Sequence, residues 1–338
     1  MITRLLMPLI CLLVIAHSTA AAGDAEPFYA RYISLAIQGD LSAARLLFDD
    51  EQWSDDTGVQ ALKSQFEERF ESEVERSSST FLENVVQAYR AYWRAKLLPS
   101  DSSRSPERSL EDRIDRLLAT DDGGTSEGDR FLRLHQALNE RGLHVLESAP
   151  PPMRDLFLWR AQERRHYRVN LYDTKVELDV VFIDDFALQG WKDFASLGLA
   201  TTTGWVEEGV LYCLAWAYDT DSENFEVSYL RHEARHLVDL ERFPLMQSED
   251  LEYRAKLTEL LHANESLYRI LNDFSDKAAN NPASPHAMAN WRVIRDIYWS
   301  LHGKEMPDTF TGWHMVDGAR VNRTARELLE AHTAQQSG

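Results

Sequence analysis

Apolar side chains recur at helical spacing through the first hundred residues. Phe28, Tyr29, Tyr32, Ile33 and Ala36 fall on one face. Gly39-Asp40 interrupts that pattern, and Leu41, Ala44, Leu46 and Leu47 resume it. Thr80-Phe81-Leu82-Glu83 carries the Thr-x-x-Glu signature of a capped helix start. The face Phe81, Val85, Ala88, Tyr89, Tyr92, Trp93 and Leu97 then predicts a strong helix running to about Leu98. These helices pair without a fixed period, so no repeat is assigned.

The Ser-, Asp- and Arg-containing stretch Pro99 to Pro106 reads as a linker, and Asp121 to Ser126 as a second break. Phe131 to Asn139 predicts a further helix, Pro150-Pro151-Pro152 a stiff turn, and Met153 to Glu163 another helix. The period changes after His166. Tyr167 to Leu171 alternates, and Val176 to Phe182 begins as alternation and ends as an apolar run, the pattern of a buried strand. Asp184-Asp185-Phe186 leads toward a helix with Trp191 and Phe194, and a β-rich run follows from Val210 to Tyr218. A helix is expected from about Phe225 until Pro244 stops it, and mainly helix from Ser248 onward, with breaks at Asn281-Pro282 and Gly303 to Pro307. The order predicts an α+β domain over residues 121–338 behind an all-helical region over 23–120.

Two features of composition narrow the picture. Net charge is −19, from 36 basic and 55 acidic residues, and no basic stripe with interleaved aromatics is present. Such a surface repels phosphate backbones, so nucleic acid is not an expected partner. Residues 1–22 read as a cleaved signal: one positive side chain at Arg4, an apolar run from Leu5 to Ala16, then the small residues Ser18 to Ala22. No later segment is apolar enough to span a membrane. The expectation is an exported protein, periplasmic or secreted and bacterial. Only Cys213 remains after such a cleavage, so an intramolecular disulfide is impossible and this thiol reads as a small core residue.

The chemistry concentrates at His232-Glu233-Ala234-Arg235-His236, an HExxH sequence in the expected helix. The four-residue offset is about one helical turn, so both imidazoles leave the same face and can hold one zinc ion. The glutamate between them can act as general base toward an activated water. A catalytic zinc usually takes three protein ligands. A third histidine in the HExxHxxGxxH spacing is absent, because Asp239 and Arg242 occupy the places of its Gly and His. Acidic residues follow instead in Ser248-Glu249-Asp250-Leu251-Glu252-Tyr253-Arg254-Ala255. A helical hairpin would return one of them to the histidines. Glu252 is the preferred third ligand, on an inward face with Ala255 and Glu259, and Glu249 is the alternative.

With His232, Glu233 and His236 followed by Glu252 and Ala255 as ExxA, the chain resembles the gluzincin branch of the zincin metallopeptidases over roughly Thr202 to Leu261. The resemblance implies a zincin-like catalytic domain, Glu252 as the third zinc ligand and Glu233 as the general base. The chain departs from the family pattern four positions after the ligand glutamate, where Lys256 replaces an acidic residue that braces a histidine. Asp239 is the expected substitute brace.

The resemblance also implies an edge strand that pairs with an extended peptide substrate, for which Gly204 to Trp216 is the candidate, with an ordinary core strand as the alternative. His286, opening a helix after Pro285, is the candidate donor to the oxyanion of a tetrahedral intermediate. Tyr253, Tyr298 and His262 are weaker ones. His135, His144, His302, His314 and His332 have no motif around them. Two functions are compatible with these residues. One is an exported zinc metallopeptidase acting on a peptide or protein substrate. The other is an inactive zincin-fold protein that binds zinc or a partner through its helical region.

Overall fold

The structure, a computed structural model, describes residues 25–72, 80–99, 104–119, 127–148, 153–207, 209–281, 284–307 and 310–336. The signal read at residues 1–22, the break at Asp121 to Ser126 and the three prolines at 150–152 lie outside them, as does part of the linker at 99–106. The chain is mixed α and β, with helices through the N-terminal region and one five-stranded sheet. It divides into two compact units. One reaches to Glu163 and takes in Phe182–Trp205; the other comprises Arg164–Val181 and Val206–Gly338.

The first unit opens with helices α1 (Glu26–Ile37), α2 (Leu41–Leu46) and α3 (Thr57–Phe66), the last continuing as a π-helical turn over Glu67–Glu71. Asp56 caps α3 by accepting from the backbone N–H groups of Gly58 and Val59. Helix α4 (Phe81–Leu97) starts where the capping signature put it: the Thr80 hydroxyl accepts from the Glu83 N–H. Its apolar face is buried as expected, with Phe81 partly exposed. Helices α5 (Pro106–Ala119) and α6 (Glu127–Asn139) follow. The core is apolar and aromatic, built around Phe28, Tyr32, Phe48, Phe66, Trp93 and Phe194.

The sheet has the order β1-β2-β3-β5-β4, from β1 (His144–Ser148), β2 (Asp155–Asn170), β3 (Lys175–Gln189), β4 (Gly204–Glu207) and β5 (Val210–Leu214). β1 and β2 run antiparallel, with His144 opposite Trp159 and Ser148 opposite Asp155. This corrects the helix expected over Met153 to Glu163. Leu156, Phe157, Leu158 and Trp159 are all buried, and a short unbroken apolar run has no period to distinguish strand from helix. Two aromatics and a waiting partner strand decide it. β3 likewise runs on through Asp184 to Gln189, beyond the expected end, before the short helix α7 (Gly190–Ala195). Gly190 makes that junction, since its φ is +82° and a Cβ there would meet the Phe157 ring at 2.7 Å.

In the second unit, α8 (Glu223–Phe225) passes through a π-helical stretch, Glu226–Arg231, into α9 (His232–Arg242). α10 (Ser248–His262), α11 (Leu267–Asp276), α12 (Pro285–His302) and α13 (Gly318–Gln336) complete the fold. α10 is the central helix, packed on α9, α12 and α13. Every residue from Leu251 to Leu261 is buried. Among the described residues, no helix is long and apolar enough to cross a membrane.

Candidate metal centre

Helices α9 and α10 meet where the sequence placed the chemistry. Pro244 follows the C-cap residue Phe243, and the short connection to Ser248 turns the chain back. The Nε2 atoms of His232 and His236 lie 3.0 Å apart. Glu252 approaches both, with Oε2 3.5 Å from His232 Nε2 and Oε1 3.4 Å from His236 Nε2. All three residues are buried, and they form the one His/Cys/Asp/Glu group among the described residues whose donor atoms converge closely enough to hold a metal ion. Glu249, the alternative, is not part of that group.

Charge inside a protein must be compensated, and the buried charged residues of α10 from Glu252 to Glu259 each have a partner. Glu252 is drawn in two directions: burial raises its pKa, while His286, His236 and His232 lower it, and the carboxyl ends well below its ordinary range. Glu259, two turns further along α10, has Oε1 2.7 Å from His232 Nδ1. That contact places the Nδ1 proton toward Glu259 and leaves the Nε2 lone pair facing the cluster. The brace on a histidine is therefore Glu259, seven positions after Glu252. Asp239 does not serve as that brace. It is fully buried between two arginines, 2.9 Å from Arg235 Nη2 and accepting from Arg254 Nε and Nη2 at 2.6 and 2.9 Å. Arg235 continues to Asp173 at 3.0 Å, and Arg254 donates to Thr333 in α13 at 2.9 Å. This network locks α9 to α10 beside the donors. Lys256 lies over the Phe274 ring, 4.5 Å from its centre.

The donor set fits a divalent metal such as zinc. Ligands about 2.0–2.1 Å from a tetrahedral centre stand about 3.3 Å apart; the two histidine nitrogens are 3.0 Å apart, each has a different Glu252 oxygen at 3.4 or 3.5 Å, and one donor atom from each of the three residues lies within 4.8 Å of the others. Two further polar atoms at the site, Glu233 Oε2 and His236 Nδ1, are buried without a hydrogen-bond partner among the described residues. Such atoms are costly unless something else completes them.

The structure also sorts the remaining candidates. His286, at the start of α12, places Nδ1 2.9 Å from Glu252 Oε2 and keeps 30% of its side chain exposed. Tyr253 donates its hydroxyl to Asp296 at 3.0 Å and takes no part in the cluster. Tyr298 packs in an aromatic group with His302, Phe310 and Trp313. His262 stands apart, with its pKa lowered to about 4 by burial and then by Arg231 and Arg326, against Asp173. Cys213 is a core residue: burial pushes its thiol up to about 12, a Tyr229 hydrogen bond works against that, and Glu233 adds to it. The run Gly204 to Trp216 is two strands, with β4 at the sheet edge and β5 inside it. No family model, no curated protein and no solved structure matches the chain.

Proposed function

We propose that this protein is an exported zinc-dependent metallopeptidase of gluzincin type. His232, His236 and Glu252 hold the ion and Glu233 is the general base. The observation that carries the reading is the buried convergence of one donor atom from each of His232, His236 and Glu252 within 4.8 Å, with a glutamate adjacent to the first histidine. When bound, the ion supplies a Lewis acid that polarises a carbonyl and acidifies a nearby water. Glu233 accepts a proton from the attacking water and returns it to the leaving amine. His286, the most exposed residue around the donors, offers an N–H to the oxyanion that develops on the substrate carbonyl. Glu259 keeps His232 in the tautomer that presents Nε2. The part of the reading that concerns export rests on residues 1–22.

The test is zinc content together with hydrolysis of a mixed fluorogenic peptide library. Wild type is expected to carry zinc and cleave, and His236→Ala and Glu252→Ala to lose both. A zinc-loaded wild type that cleaves no peptide would sink the peptidase reading. A second reading, a zincin-fold protein that binds zinc without catalysis, draws on the depth of the cluster, since Glu233 is only 2% exposed and His236 1%. Structural zinc sites are closed, whereas catalytic ones keep a position open. Zinc retention without hydrolysis would favour it.

A further inference from the structure

A second concentration of chemistry lies in the first unit and owes nothing to the metal centre. A cavity of about 330 Å³ is lined by Arg69, Arg90, Arg94 and Arg113, with Glu68 the one acidic residue of its lining among the described residues. Four guanidinium groups around one cavity run against a chain that carries −19 overall. Arg69 comes from the π-helical turn after α3, Arg90 and Arg94 from the outward face of α4, and Arg113 from α5.

The arrangement is built rather than incidental. Arg94 donates from Nε and Nη2 to the Arg69 carbonyl at 2.9 and 2.7 Å, which ties α4 to the π-helical turn. Arg69 donates from Nη1 to the Phe194 carbonyl at 3.1 Å and lies 5.5 Å from the centre of that ring. Arg90 and Arg94 stand one helical turn apart, a like-charge spacing that disfavours a helix unless something offsets it. Among the described residues, neither Arg69 nor Arg90 has a carboxylate within 4 Å. Burial lowers the pKa of each guanidinium, and Asp193 is the main opposing influence on both.

We propose that this cavity binds a small phosphate-bearing molecule, with Arg90 and Arg113 joining Arg69 and Arg94 around the phosphate. Planar guanidinium forks match phosphate oxygens in pairs. Several of them suit a phosphate monoester, which carries close to two negative charges at neutral pH, better than a single carboxylate. The volume is at the small end of ligand pockets and exceeds what one phosphate group fills.

The test is isothermal titration of the full chain with inorganic phosphate and with glycerol 1-phosphate as separate probes. The comparison set is wild type, Arg90→Gln, Arg113→Gln and the control Arg108→Gln, an exposed arginine of α5 outside the cavity. Loss of one charged hydrogen-bond donor is expected to weaken binding at least about tenfold in Arg90→Gln and Arg113→Gln. The control is expected to stay within about twofold of wild type. Tighter binding of the ester than of inorganic phosphate identifies an organic ligand, and equal binding identifies free phosphate. Should Arg90→Gln fail to fold, Arg113→Gln decides. The proposal is overturned if neither probe binds wild type at up to about 10 mM, or if Arg108→Gln loses as much affinity as the cavity variants.

Discussion

Helices α4 and α10 are of similar length and solve opposite problems. α4 buries Val85, Ala88, Tyr89, Tyr92, Trp93 and Leu97 and turns its arginines outward, so its contribution to stability is apolar burial. α10 is buried on every side from Leu251 to Leu261, and that includes Glu252, Arg254, Lys256 and Glu259. A helix chosen for stability alone would not place four ionisable groups in a core, because each must be matched to a partner to offset its desolvation. The apolar face of α4, in the first unit, follows the ordinary rule that a core is built from apolar side chains. The second departs from that rule around His232 and His236, and departures of this kind collect at functional sites.

The largest test of this contrast is Glu233→Gln. Peptide hydrolysis is expected to fall by about 10²–10⁴-fold, with zinc content and thermal stability retained. Hydrolysis at the wild-type rate would remove function as the reason for the buried charges. Next is Asp239→Ala, which strips the shared counter-charge from Arg235 and Arg254. Urea unfolding should show a loss of about 3–5 kcal/mol, and adding Arg254→Met should recover part of it. In the first unit, Leu62→Ala is expected to cost about 2–5 kcal/mol through a cavity alone, with zinc content unchanged. A partner change that recovered stability there too would erase the distinction.

Glu259→Gln is expected to weaken zinc about 10–100-fold, measured by competition with a chelator, while the fold persists. The smallest expected effect concerns His262, at the end of α10. Its folded pKa of about 4 lies below the ordinary 6.5, so as pH falls the unfolded chain takes up the proton first. Stability should therefore drop between about pH 6.5 and 4, by roughly 1–2 kcal/mol once the full linkage value of about 3 kcal/mol is discounted for the solvent that reaches this half-buried ring. His262→Gln should flatten that slope; an unchanged slope would assign it to other groups.

Much of this was legible in the sequence because it is local. The capping of α4, the end of α9 before Pro244, and the facing of His232 and His236 all follow from spacing within a few residues. The return of α10 to the histidines was readable as a hairpin, and Glu252 is where its spacing put it. What spacing does not carry is the identity of partners. Asp239 sits one turn from His236 and looks like its brace, yet Arg235 and Arg254 claim it. Glu259 was on the expected inward face, but only the packing of α9 against α10 aims it at His232. The strand β2 was missed for a different reason, since four consecutive apolar residues fit either element until β1 lies beside them. The arginine cavity draws its residues from separate helices, and no linear motif announces it.

The π-helical stretch ahead of His232 has one more consequence. A π turn takes up an additional residue and so rotates everything after it relative to everything before. Phe225 and Tyr229 stack on each other with Tyr218 tilted against both, while the histidines seven and eleven positions after Phe225 turn to α10. The continuous helix thus serves two audiences whose angular offset is written in a count of residues. Substitutions within Glu226–Arg231 would leave that count intact, whereas removing a single residue would swing the imidazoles by about 100°. Here the number of letters matters as much as which letters they are.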